Sequence, residues 1–180
     1  MDNLPLLRAN KAQPESRTCS RMWTAEEITT IYHRHINTVY RVCFSLMGNK
    51  PDAEDSVQSV FLKLMVNPIS FSDIEHEKAW LITTAQNQCK DIHRQWWRKK
   101  VVAIDPTVEA IKVELEEPSV LLETLMKLPS KLRLLLCLYY YEGYKVSEIS
   151  TILNLNINTV KTRLRSAKKR LKTELGDDFQ

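Results

Sequence analysis

The chain has 180 residues, with 26 Lys+Arg against 22 Asp+Glu and a formal net charge of +4. Hydrophobic residues make up 43% and charged residues 27%, which is enough apolar surface for a packed core and argues against a mainly disordered chain. Only 3 glycines and 7 prolines are present; sandwiches and barrels use turn glycines freely, so this scarcity points to helices.

The longest uninterrupted apolar run, Leu134 to Tyr141, falls far short of the roughly 20 residues that a bilayer-spanning helix needs. The start, Met1-Asp2-Asn3-Leu4-Pro5, lacks the basic-then-apolar pattern of a signal peptide, so a cytoplasmic location is expected. Cys19, Cys43, Cys89 and Cys137 show no paired spacing, and free buried thiols are the expectation in a reducing compartment.

In chain order, residues 1–22 have little periodicity and read as a mobile tail. Thr24 with Glu27 three residues on fits a capping box. It opens a helix to about Met47, with Ile28, Ile31, His35, Val39, Val42 and Leu46 on one face. A second helix is predicted from about Pro51 to Val66, with Val57, Val60, Phe61 and Leu64 as its apolar stripe. Residues 67–76 read as a loop. A third helix is predicted over Glu77–Lys100, with Trp80, Leu81, Thr84, Gln88 and Ile92 inward. From Asp105 to Glu123, six acids face one base, Lys112. This stretch reads as an acidic linker. Four more helices are predicted at Val120–Leu128, Pro129–Glu142, Val146–Leu153 and Ile157–Leu175. Gly48, Gly143 and Gly176 each follow an apolar-periodic run, where a helix end favours a left-handed residue.

Chemistry concentrates in the C-terminal quarter. A short helix from Ser147 to Leu153, the turn Asn154-Leu155-Asn156 and a longer helix have the spacing of a helix-turn-helix. Asn156 is a natural N-cap for the second helix. Ile157, Val160, Leu164, Ala167 and Leu171 would face inward, leaving Asn158, Thr159, Lys161, Thr162, Arg165, Lys168 and Lys169 outside. From Thr159 to Lys172 there are seven bases and no acid. A solvated helix usually mixes signs, whereas an all-basic face suits phosphate neutralisation beside base-edge contact.

This quarter resembles the fourth conserved region of bacterial sigma-70-type factors through Tyr141-Glu142-Gly143-Tyr144, Ser147-Glu148-Ile149 and Thr159-Val160-Lys161-Thr162-Arg163-Leu164. A second block is similar to the family's second region. It contains Val39-Tyr40-Arg41, Asp52-Ala53-Glu54-Asp55, Gln58, Val60-Phe61-Leu62-Lys63-Leu64, Ala79-Trp80-Leu81, Ala85-Gln86-Asn87, Asp91, Arg94 and Arg98. Both blocks in this order, joined by a variable linker and covering about residues 25–175, look like an extracytoplasmic-function (ECF) sigma factor.

The resemblance implies an all-α fold of two helical domains, 23–100 and 119–176, joined by a linker at 101–118. It implies no enzymatic activity, no cofactor, no metal and no small-molecule substrate. Asp52, Glu54, Asp55, Gln58 and Phe61 would meet the clamp coiled coil of RNA polymerase core; N-terminal acids also stabilise a helix by themselves, and for Asp52 the two readings weigh equally. Asn87, Lys90, Asp91, Arg94 and Arg98 would lie in one row toward the minus-ten element of promoter DNA. A base flipped from the non-template strand would sit at the 67–76 loop, with Phe71, Ser72 and His76 as candidates. Asn158, Thr159, Lys161, Thr162, Arg163, Arg165 and Lys168 would meet the minus-thirty-five element. Many relatives are held inactive by an anti-sigma factor, often membrane-anchored, so such a partner is expected. The acidic linker is a candidate occupant of the polymerase RNA channel. Trp96, Trp97 and Ser166 stand where the family often has arginines.

Two rival readings make different predictions. A stand-alone helix-turn-helix regulator would bind its operator without polymerase and would have no use for the Asp52–Leu64 block. A helical metal-dependent hydrolase would need Glu54, Asp55, His76 and His93 gathered in one place. Cys89 and His93 stand four apart but are only two ligands, short of a structural zinc set.

Overall fold

The computed structural model describes residues 23–67, 69–102 and 120–175, with the backbone alone for 98–102 and 120. The expected N-terminal tail, most of the acidic linker, Cys19 and Gly176 lie outside the described residues, as does the side chain of Arg98. Every regular element among the described residues is helical.

Helix α1 (Ala25–Met47) begins at the expected capping box. The Glu27 amide donates to the Thr24 hydroxyl at 3.2 Å, and the Thr24 amide donates to the Glu27 carboxylate at 2.9 Å. The helix ends at Gly48, whose φ of 81° is the left-handed conformation that lets its amide reach the Phe44 carbonyl. Helix α2 (Lys50–Val66) follows at once, with Pro51 in its first turn and Asn49 as N-cap. Val57, Val60, Phe61 and Leu64 are all buried.

Helix α3 (Ile74–Val102) starts three residues earlier than the sequence suggested. Asp73 is the reason: its carboxylate accepts the His76 amide at 2.7 Å, and its carbonyl accepts the Glu77 amide at 3.1 Å. His76 is therefore the third residue of a helix rather than part of a loop. The buried face of α3 also differs from the expected one. Ala79, Leu81, Ile82, Ala85, Gln86 and Cys89 are buried, while Trp80, Thr84, Gln88 and Ile92 are half-buried at its edge. Helix α3 packs against both α1 and α2, and its buried face includes the small residues Ala79, Ala85 and Cys89.

The C-terminal helices are α4 (Val120–Lys127), α5 (Ser130–Leu136), α6 (Val146–Ile152) and α7 (Ile157–Leu175). The helix expected over Pro129–Glu142 widens after Leu136 into a π-helical turn at Cys137–Tyr141. Its mark is the five-residue step from the Glu142 amide to the Cys137 carbonyl, 3.1 Å. Gly143, at φ 74°, ends it. The core here is Leu132, Leu134, Leu135, Leu136, Leu138, Ile149, Ile152, Val160, Leu164 and Ala167. Ile157, expected inward, is 39% exposed because it sits in the first turn, ahead of the packed stretch.

The two helix groups pack on each other. Helix α1 meets α5 and the π-helical turn, and α3 meets α6. Cys43, Cys89 and Cys137 are free and buried, as expected, and burial pushes the Cys137 thiol up to about 11.

Candidate nucleic-acid and polymerase interfaces

On α2, the side chains left outside by the buried stripe form one row. Glu54, Asp55 and Gln58 are exposed in its first half. Leu62, Met65 and Val66 continue the row in its second half, 59%, 48% and 75% exposed. The sequence reading missed these three. Their signal was present: they are apolar residues off the core stripe of an amphipathic helix. Asp52 is half-buried and engaged in the helix cap, its amide donating to Asn49 Oδ1 at 3.0 Å and its carboxylate accepting from the Asn49 side chain. Phe61 is a correction. It is 6% exposed and packs at 4.8 Å on the Tyr32 ring, so it supports this face from beneath instead of lining it.

On α3, Asn87, Lys90 and Arg94 are exposed and Asp91 is half-buried. Arg94 pairs with Asp91 at 2.9 Å, one turn back on the same helix. Lys90 is in no ion pair among the described residues. Trp97 is 71% exposed; Trp96 is 41% exposed and meets the edge of the His93 ring at 5.6 Å. Of the loop candidates, Ser72 is exposed and donates its hydroxyl to Asp73 at 2.8 Å. The His76 and Ser72 hydrogen bonds hold the Asp73 carboxyl below its ordinary value. His76 accepts the Ser72 amide on Nδ1 at 3.3 Å. Phe71 is half-buried among Trp23, Trp80 and His76.

On α7, the Asn156 side chain accepts the Asn158 amide at 2.8 Å, which fixes the first turn as the sequence suggested. Asn154 takes a left-handed φ of 50° in the turn. Val160, Leu164 and Ala167 are buried. Asn158, Lys161, Thr162 and Arg165 are exposed on the far side, while Thr159 and Arg163 are half-buried at its flanks. Lys168 is exposed but lies over the rings of Tyr139 and Tyr140, at 5.5 and 5.3 Å, so it is shared with a cation–π contact.

Two residues with no expected site role join the helix groups. Glu142, its side chain 2% exposed, receives Arg41 Nε and Nη2 at 2.9 and 2.8 Å, Lys78 Nζ at 3.0 Å and the Thr38 hydroxyl at 2.8 Å. Burial pushes its carboxyl up, but the Lys78, Arg41 and Thr38 bonds outweigh this and hold it below the ordinary value. Arg133 donates Nε to the Ser45 carbonyl and Nη1 to the Met126 and Leu128 carbonyls, each at 2.9 Å. The residues proposed for a metal are not gathered: among the described residues no three His, Cys, Asp or Glu side chains are placed to share an ion.

Residues 31–99 match the Sigma-70 region 2 family, and residues 119–171 match Sigma-70 region 4. The chain is 31% identical over 155 residues to the ECF RNA polymerase sigma factor SigM of Bacillus subtilis, covering 81% of this chain and 93% of that protein. This chain belongs to the ECF sigma factors of the sigma-70 family. It is a promoter-directing transcription initiation factor, and the stand-alone regulator is set aside because both regions are present. The sigma factor is also 31% identical over 152 residues to the RNA polymerase sigma factor SigV of the same organism, across 82% of this chain and 90% of that one. Its fold matches that of the sigma factor RpoE of Bartonella quintana, solved in complex with the anti-sigma factor NepR. The TM-score is 0.73 at 22% identity, over 86% of this chain and 99% of that one.

Proposed function

We propose that this sigma factor divides promoter recognition among three faces. The α2 row of Glu54, Asp55, Gln58, Leu62, Met65 and Val66 docks on the clamp coiled coil of core polymerase. Helix α3, through Asn87, Lys90 and Arg94 with Arg98 beyond, meets the minus-ten element, and the adjoining loop at Ser72 takes an unpaired base. Helix α7 enters the major groove of the minus-thirty-five element with Asn158, Lys161, Thr162 and Arg165. The protein works by binding, with no catalysis of its own, and acts in the cytoplasm; among the described residues no helix is long and apolar enough to cross a membrane. An anti-sigma factor is a further proposed partner, as RpoE has in its solved complex.

One observation carries the reading: the exposed row of α7 is polar at its start and cationic beyond, opposite a buried apolar row in helix-turn-helix geometry. Phosphate neutralisation releases counterions, so each such contact adds about 0.9 to the salt slope of binding. Run-off transcription with core polymerase on genomic fragments tests the function. The double substitution Lys161→Ala/Arg165→Ala should weaken promoter binding and lower that slope by about 2. An unaltered slope, or a holoenzyme that starts at no defined site, refutes the proposal.

A further inference from the structure

Trp23 stands just before the α1 N-cap, where an apolar side chain ordinarily folds back onto its own helix as a staple. Here the indole also reaches beyond its own helix. Its N–H donates to the Asn67 carbonyl at 3.2 Å, 44 residues away. Its ring stacks on Phe71 at 5.7 Å, with 26° between the planes. One side chain thus grips both the residue that closes α2 and the middle of the segment leading to α3.

The grip continues inward. Phe71 leans on Trp80 at 5.8 Å and meets the edge of His76 at 5.6 Å. His76 in turn holds the Ser72 amide, and Asp73 holds the Ser72 hydroxyl. Trp23 is itself fixed, because the next residue, Thr24, is locked in the capping box. The segment has no regular structure over residues 69–73, so these contacts define its shape. With one face of Phe71 taken by the indole, that ring is part of the support, and the exposed Ser72 is what the support presents.

We propose that Trp23 is a positioning residue for base choice: it fixes Asn67 and Phe71 so that Ser72 presents one shape to the unpaired base. This inference rests on the reading of that loop given above. A recognition group must be held to within about half an ångström, and the residues behind it supply that constraint. Loosening Trp23 blurs the choice of base before it abolishes opening.

The experiment uses full-length sigma factor with core polymerase on a promoter set carrying each base in turn through the minus-ten element. Permanganate reactivity of unpaired thymines in a constant downstream segment reads opening, and binding to an upstream duplex fragment is a control. Trp23→Ala should lower the ratio of opening between the preferred base and its alternatives at least fivefold at one position. Upstream binding should be unchanged. Trp23→Phe keeps the stack and removes the N–H bond, and its ratio should fall between the two. A fall in opening that is equal for all promoters, or ratios equal to wild type in both variants, overturns the proposal. If Trp23→Ala does not fold, the Trp23→Phe ratios decide, with a wild-type profile counting against. Failure of the wild-type holoenzyme to discriminate among bases at all would instead sink the reading of the loop.

Discussion

Replacing Glu142 by Gln keeps the shape of the residue that joins the two helix groups and removes its charge. In the native protein this carboxylate, 2% exposed, neutralises Arg41 and Lys78 and accepts from Thr38. The amide can still accept from one donor at its oxygen, but its NH2 faces cationic donors on the other side. Breaking a fully buried ion pair costs about 3–5 kcal/mol. Arg41 is 41% exposed and Lys78 19% exposed, so both can partly rehydrate, and the expected cost falls to about 2–3 kcal/mol. For a chain of this size that corresponds to a drop in Tm of roughly 4–12 °C. Urea unfolding at several pH values is the assay. Because the folded carboxyl lies below its unfolded value, its contribution is present in full above the unfolded pKa of about 4.3 and is lost as pH falls through the folded pKa. The deficit of the variant should therefore be constant near neutrality and close in acid. A double-mutant cycle with Lys78→Met should give a coupling above about 0.5 kcal/mol. A deficit that is absent at neutral pH, or one that does not shrink in acid, refutes the reasoning.

Gly48→Ala should destabilise by about 1–2 kcal/mol, since φ is 81° and the new Cβ would stand 3.2 Å from the Arg133 guanidinium; unchanged urea stability would count against the αL requirement. Leu64→Ala, at a side chain with no exposure, should cost about 2–5 kcal/mol in the same assay, and a loss typical of a surface position would be inconsistent with a packed α1–α2–α3 core. Asp55→Arg, on the exposed row of α2, should weaken co-purification with core polymerase while leaving the far-ultraviolet circular dichroism and Tm at wild-type values; undiminished co-purification would remove Asp55 from the docking face.

Much of the fold was legible because its signals are local. The capping box at Thr24, the αL glycine after Met47 and the Asn156 cap all act within four residues, and each lies where the sequence placed it. The misplaced start of α3 is also local, but Asp73 competes with Ser70 and Ser72 as a cap in the sequence, and only the bond to the His76 amide selects it. The rotated face of α3 has a different origin. Periodicity favours the large residues Trp80 and Ile92, whereas the face that α3 buries carries the small Ala79, Ala85 and Cys89 beside Leu81 and Ile82, because two neighbouring helices, and not the side-chain size on α3 alone, decide which face is covered.

The surfaces were legible in charge and less so in availability. A row of bases on α7 follows from the helical period, yet period alone could not show that Tyr139 and Tyr140 lie beneath Lys168. The same limit explains Phe61, which shares its stripe with core residues and is a contact by the family pattern alone. Glu142 is the extreme case. Its three neighbours lie 64 to 104 residues away in the chain, and a π-helical turn, which has no reliable sequence signature, carries the backbone through to it. Pattern reading assigns a side chain to a face of its own helix; it does not say which distant helix that face meets. Glu142 was therefore visible in the sequence only as part of a family motif, although its charge joins the two helix groups.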